Sequence, residues 1–222
     1  MKTQALILGL GQFGMSTARA LAQHGVEVMV VDQDDRLVQQ ASTWAAEAVA
    51  FDAADEAALA RTQPAERDLC VVAIGDESRD GSIVVTALLR QMGAKRIVAR
   101  ANDTIHERIL RLVGAHEVVN PERAFGERLA ARLAHSNVVD QIPLGGNLVI
   151  TELQVPDSLA GKSLREANLP AKLGVTVVAV RRKIDGAVQA VLPDANTPLS
   201  SSDVLVVATA ASDASDLASK LS

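Results

Sequence analysis

The stretch Leu6-Ile7-Leu8-Gly9-Leu10-Gly11-Gln12-Phe13-Gly14 runs from an apolar segment into a turn with three glycines, and Asp32 follows Gly14 by 18 positions. In a G-x-G-x-x-G turn the first glycine permits the bend and the second lets the backbone approach a pyrophosphate. The third lets helix and strand pack closely. Backbone N–H groups at the start of the following helix then face the phosphates, helped by the helix dipole. The glycine spacing alone is common, but here the context agrees with it. A strand precedes the turn, a helix follows, and Val30-Val31-Asp32 ends a second strand close to the roughly 20 residues at which a ribose-binding acid is expected. Asp32 would repel a 2′-phosphate, which favours a free ribose hydroxyl and leaves NAD, ATP and ADP open.

The rest of the first 135 residues continues this rhythm. Short apolar runs at 5–8, 26–31, 48–51, 69–74, 97–99 and 117–119 read as strands buried on both faces. Amphipathic stretches at 12–24, 35–45, 55–62, 79–92 and 104–113 read as the intervening helices. In the fourth, Ile83, Ala87 and Arg90-Gln91 lie opposite Val84, Leu88 and Leu89, which suggests a core-facing stripe. Gly25, Gly93 and Gly114 each fall just past a helix, where a left-handed cap is expected. Alternating strands and helices predict an α/β, Rossmann-like, doubly wound parallel sheet. Such a sheet holds its ligand at the carboxyl ends of its strands. That adds Asp52, Ile74-Gly75-Asp76 and Arg100-Ala101-Asn102 to the candidate site.

Pro121 suits the first position of a further helix, 121–135, and Ser136-Asn137 breaks it. Beyond lie strand patterns at 148–155, 175–181, 187–191 and 204–208, with short helices near 163–168 and 214–221. Runs of strands with few helices predict a small α+β domain. The expected division is a nucleotide-binding domain at 1–120, a crossover helix and linker at 121–137, and a second domain at 138–222.

Composition narrows the function. The 222 residues carry a net charge of −5, with Phe 3, Trp 1 and Tyr 0, so neither a basic surface nor aromatic stacking favours nucleic acid. No apolar run approaches the roughly 18 residues that span a bilayer, and no signal-peptide pattern opens the chain. Cys70, the one cysteine, lies in the apolar run 69–74 and reads as a buried strand residue in a reducing, cytoplasmic compartment. The chain offers little for catalysis. Without tyrosine a Tyr-Lys dehydrogenase site is impossible, and His24, His106, His116 and His135 all precede the second domain. No metal-ligand cluster or nucleophile–base pair is evident. The pattern reads as a nucleotide-holding protein that is not an enzyme. An NAD-dependent oxidoreductase, or a nucleotide or redox sensor with another partner, stands as the alternative.

These residues resemble the RCK (KTN, TrkA-type) regulators of potassium transport, most closely the KtrA group. The resemblance rests on residues 6–14, Val30-Val31-Asp32, Val72-Ala73-Ile74-Gly75, Val98-Ala99-Arg100-Ala101-Asn102, Leu110-Arg111-Leu112-Val113-Gly114-Ala115 and Val119-Asn120-Pro121-Glu122-Arg123-Ala124-Phe125-Gly126. It continues through Gly161-Lys162-Ser163-Leu164 and 203–207, and so covers nearly the whole chain.

The resemblance implies an RCK N-domain and an RCK C-domain that assemble as dimers into an octameric ring. That ring sits beneath a KtrB- or TrkH-like potassium-translocating membrane subunit, at the inner face of the cell membrane and without insertion. ATP and ADP compete for the N-domain site, and NAD(H) binds in the wider family.

Carried over, Gly9, Gly11, Gln12, Phe13 and Gly14 form the phosphate turn, and Asp32, with Gln33 and Asp34 after it, holds the ribose. Asp52, Ala53, Ile74, Gly75 and Asp76 border adenine and ribose, while Arg100, Ala101, Asn102 and His106 line the phosphate side. Glu122 approaches the neighbouring subunit's nucleotide, where a divalent ion such as Mg2+ offsets charge repulsion. Two positions depart from the group's pattern. Gln12 replaces an arginine that reaches the terminal ATP phosphate, and Pro170 stands where some relatives carry an arginine for cyclic di-AMP.

Overall fold

The computed structural model describes residues 2–75 and 78–220. The chain divides into two compact units, Met1–Glu122 and Arg123–Ser222.

In the first unit β1 (Gln4–Leu8), β2 (Glu27–Asp32), β3 (Glu47–Ala50), β4 (Leu69–Val72), β5 (Ile97–Arg100) and β6 (Glu117–Val119) form the sheet. They alternate with α1 (Gln12–Gln23), α2 (Asp35–Ala41), α3 (Glu56–Arg61), α4 (Arg79–Gln91) and α5 (Thr104–Leu112). The strands are all parallel, in the order β3-β2-β1-β4-β5-β6. Between β1 and β4 the order reverses, which opens a crevice above their carboxyl ends. Both faces of the sheet are covered. Leu6, Leu8, Val31, Cys70 and Val72 belong to one core with Leu59, Val85 and Leu89, while Ala5, Ile7, Val28, Val30 and Val71 belong to another with Ala18 and Val38. That alternation is why the strands read as continuous apolar runs.

All six strands lie within two residues of their expected bounds. The helix expected at 35–45 stops at Ala41, because the Ser42 and Thr43 hydroxyls donate back to the carbonyls of Gln39 and Gln40 and the chain turns. In α4 the stripe that faces the core is Ser82, Val85, Thr86 and Leu89, whereas Val84 and Ala87 are exposed. The small hydroxyl residues Ser82 and Thr86 bond within the helix and so tolerate the interior, which apolar periodicity does not register.

Helix α6 (Pro121–Ala134) begins at the unit boundary. In the second unit come β7 (Val138–Gly145), β8 (Leu148–Gln154), α7 (Leu164–Ala167), α8 (Leu169–Leu173), β9 (Thr176–Ile184), β10 (Ala187–Val191), β11 (Val204–Ala210) and α9 (Ala214–Lys220). Its sheet is antiparallel, in the order β10-β9-β11-β8-β7. β8 and β11 alternate between buried and half-buried residues. Leu153, Val180, Leu205 and Val207 pack with Leu169 and Leu217 on the inner side. Ser163 and Glu166 form a reciprocal capping box at the start of α7. Strand β7 and helix α8 were not anticipated. β7 is an edge strand that is exposed over most of its length and carries Pro143, which an edge tolerates.

Candidate nucleotide site

The three glycines of the first turn are distinguished by what surrounds them. Gly9 has φ +96°, and a Cβ there would lie 3.0 Å from the main chain of Ala73 and Ile74, so β1 passes close to the end of β4. At Gly14 a Cβ would fall 1.9 Å from the Gly9 carbonyl oxygen, which makes this the contact that lets α1 sit against the turn. At Gly11 a Cβ would meet nothing within 4 Å. Two glycines are required by the protein's own packing, and the third faces open space.

Helix α1 differs from its neighbours in the same way. Asp34, Asp55 and Asp103 cap α2, α3 and α5 through side-chain oxygens, and each of those helices has an acid in its first turn. Helix α1 starts from Gly11 with no side-chain cap and no first-turn acid. Its leading N–H groups and positive dipole end are thus presented to the crevice, an arrangement suited to an anion. Gln12 is exposed at its first position, while the Phe13 side chain packs against the core, so only the Phe13 main chain faces the turn.

Asp32 stands at the end of β2. Its Oδ2 accepts from the Leu10 N–H at 2.5 Å and its Oδ1 from the Asp34 N–H at 2.8 Å, which ties the carboxylate to the glycine turn. Each oxygen keeps acceptor capacity for hydroxyl donors. Gln33 is exposed beside it. The Asp34 carboxylate turns to its own helix, where it accepts from the Arg36 main-chain and side-chain N–H groups, and the Arg36 guanidinium holds it below the usual carboxylate range. Asp34 therefore orders the loop after Asp32 and does not reach the crevice with its carboxylate.

On the far side of the turn, Asp52 follows β3 and accepts from the Ala54 N–H, while Ala53 is buried in the core. Ile74 and Gly75 end the β4 segment and are half-buried. Asp76 lies outside the described residues. Arg100, the last residue of β5, lies against Gly75, with Nη1 at 3.5 Å from where a Gly75 Cβ would be. Its Nη2 donates to Glu122 Oε1 at 2.6 Å. Asn102 donates its N–H to His106 Nδ1 and accepts from the Asn120 side chain on its carbonyl, and its buried Oδ1 has no partner among the described residues.

Two residues expected on the phosphate side are sealed from it. Ala101 and His106 are fully buried. His106 Nε2 is 2.8 Å from Ser82 Oγ, and its ring lies between α4 and α5, where it braces the loop that carries Asn102. A histidine six residues past the end of β5 gave no signal of burial. The Ser82 hydroxyl that receives it could have been suspected from its place on the inner stripe of α4. Asp103, held below the usual carboxylate range first by the His106 N–H and then by Arg79, pairs with Arg79 at 2.8 Å. This second arginine at the crevice rim was not anticipated.

Cys70 is buried, and burial pushes its thiol up to about 12, which makes it inert. Among the described residues no group of three or more His, Cys, Asp or Glu is placed to hold a metal ion, and Glu122 is engaged with Arg100. Among the same residues no helix is long and apolar enough to cross a membrane.

Residues 5–121 match the TrkA-N domain and residues 148–222 the TrkA-C domain. The chain belongs to the RCK (TrkA-type) family. Ktr system potassium uptake protein C of Bacillus subtilis (strain 168) is 34% identical over 97% of this chain and 96% of its own length. Ktr system potassium uptake protein A of Vibrio alginolyticus is 31% identical over 93% of this chain and 94% of its own. The RCK domain of GsuK superposes on all of this chain with a TM-score of 0.70 at 22% identity, and this chain covers 48% of it. In the GsuK channel bound to NAD the values are 0.69 and 20%, with 39% of the channel chain covered. The RCK fold is thus shared across the two units, and the crevice described above is that of an RCK N-terminal unit.

Proposed function

We propose that this RCK protein is the cytosolic regulatory subunit of a potassium uptake system, and that adenine nucleotides bound at the β1–β4 crevice set its state. The carrying observation is the pairing of an uncapped, acid-free α1 N-terminus, open at Gly11, with the Asp32 carboxylate held beside it. A pyrophosphate would take the leading N–H groups of α1, and the ribose hydroxyls would take Asp32. Gly75 and Asp52 would border the base and sugar. Arg100 and the Asn102 main chain would lie on the phosphate side, where a ligand hydroxyl would also satisfy Asn102 Oδ1. The ligands are ATP and ADP, with NAD(H) as a further candidate supported by the NAD-bound GsuK channel of the same fold.

The reading includes no catalysis. The histidine nearest the crevice is buried against Ser82, and the cysteine is buried and inert. Residues 121–137 act as crossover helix and linker between an RCK N-domain at 1–120 and a C-domain at 138–222. Helix α6 buries none of its residues in the chain and exposes Phe125 and Leu133, which supports a role as a contact between copies. Dimers would assemble into an octameric ring beneath a KtrB- or TrkH-like membrane subunit, supported by the Ktr relatives. Glu122 of one subunit would hold Mg2+ at the phosphates of the next. ATP and ADP would shift the ring only by their difference in affinity for its two states.

Calorimetric titration of the purified protein with ATP, ADP and NAD, with and without magnesium, tests the site. Binding by the wild type and loss of at least tenfold in affinity in Asp32→Ala is expected, and equal affinities overturn the assignment. Co-purification with a multi-span potassium transporter subunit tests the partner.

A further inference from the structure

We infer that Glu122 is a built-in competitor for the phosphate site: it and a ligand phosphate contend for Arg100, and the ligand's arrival releases the first turn of α6. The inference rests on the nucleotide reading above and deepens it.

Burial makes the Arg100–Glu122 pair unequal. The Arg100 side chain is 14% exposed and lies along the crevice wall against Gly75, whereas the Glu122 side chain is 61% exposed. The half-buried cation is thus the partner that needs a counter-charge, and the solvated carboxylate leaves at little cost. The guanidinium is also incompletely used. Nη2 donates to one Glu122 oxygen, and the adjacent Nε is buried with no partner among the described residues. The Nε–Nη2 edge of an arginine fits two oxygens of one anion, and a phosphate supplies both with more charge than a carboxylate.

Displacement matters because of where Glu122 sits. It is the second residue of α6 and the last residue of the first unit, so the ion pair ties the start of that helix to the end of β5. Phosphate binding would exchange this tie for a bond to the ligand. The protein would thereby convert the phosphate charge of its ligand into the freedom of one helical turn. A ligand without phosphate would leave the pair intact.

The test uses the full chain in EDTA, with ADP and adenosine as probes. Glu122→Gln is expected to bind ADP about threefold tighter than wild type, the scale of one exposed ion pair, and adenosine equally. Arg100→Gln should lose about tenfold in ADP affinity, and the double variant should match it, because without Arg100 there is nothing to compete for. Hydrogen exchange at Phe125 and Gly126, whose amides bond back to the first-turn carbonyls of α6, should quicken when ADP, but not adenosine, binds the wild type.

Unchanged or weaker ADP binding by Glu122→Gln, with the wild type binding normally, overturns the competition alone. A wild type that binds neither ADP nor adenosine overturns the nucleotide reading and this inference together. A Glu122→Gln variant weakened only in magnesium separates the metal role from the competition. Thermal melts of each variant, with Glu122→Ala as a second replacement, show that a change in affinity is not a loss of folding.

Discussion

The two sheets of this protein bury their residues by different rules. In the first unit β1, β2 and β4 are buried almost continuously, because helices cover both faces of a parallel sheet. In the second unit β8 and β11 are buried on alternate residues, and β10 is largely exposed along its length. A sheet covered on both faces has its carboxyl edge, where loops emerge, as the accessible place for chemistry. A sheet covered on one face keeps broad solvent-facing surface instead. The first unit is therefore organised around a crevice, and the second around surfaces.

The strongest way to break this comparison is Gly14→Val. Its Cβ would overlap the Gly9 carbonyl at 1.9 Å, backbone against backbone, so a cost of more than about 4 kcal/mol is expected. Hydrogen exchange should show β1 and β4 losing protection while β8 and β11 keep theirs. Gly11→Ala should do the reverse: it meets nothing within 4 Å and leaves stability nearly unchanged, but it lowers nucleotide affinity by crowding the phosphate turn. In the second unit Leu205→Ala removes a fully buried side chain and should cost about 2–5 kcal/mol, read as lost exchange protection confined to β8, β9 and β11.

Asp32→Asn sharpens the site with a smaller effect. It keeps an oxygen for the Leu10 N–H but loses the charge, and about 1–2 kcal/mol of ligand affinity should go with it in a calorimetric titration.

Acid should affect the second unit. The Asp140 carboxyl is lowered chiefly by its hydrogen bond from Arg128, and Glu166 chiefly by the Ser163 N–H. Groups with depressed folded values stabilise the protein above their unfolded pKa. That contribution is lost as pH falls through the folded value. Stability from these groups should be flat from pH 8 to about 5 and decline below about 4, and urea midpoints across that range measure it. In Asp140→Asn the decline should be shallower.

Phe125→Ser should likewise have only a small effect on stability. The ring is 65% exposed, so the unfolding free energy should change by less than about 0.5 kcal/mol. Sedimentation should nonetheless show weaker self-association if α6 joins copies.

Much of the first unit was legible because its signals are local. Apolar runs marked the strands, Gly9 and Gly14 marked the turn, and Asp32 lay at the spacing a ribose acid requires. The second unit was read less completely, for reasons visible in particular residues. β7 carries Asp140, Gln141 and Pro143 on an exposed edge and so lacks apolar alternation. β9 runs on to Ile184 because the Asp185-Gly186 pair makes a two-residue hairpin into β10, and that pair was a readable signal. In the site, burial misplaced His106 and Ala101, since a strand-end position does not say whether a side chain faces the crevice or the core.

The sequence by itself determined the order of elements, the glycine turn and the acid that faces it, because each depends on residues within one βαβ unit. Tertiary structure alone decided that the end of β4 closes on Gly9, that Ser82 receives His106, and that Arg100 is shared with Glu122. Each of these depends on atoms brought together by the sheet order, from elements distant in the chain. Charge, exposure and competition for one guanidinium exist only once those elements meet.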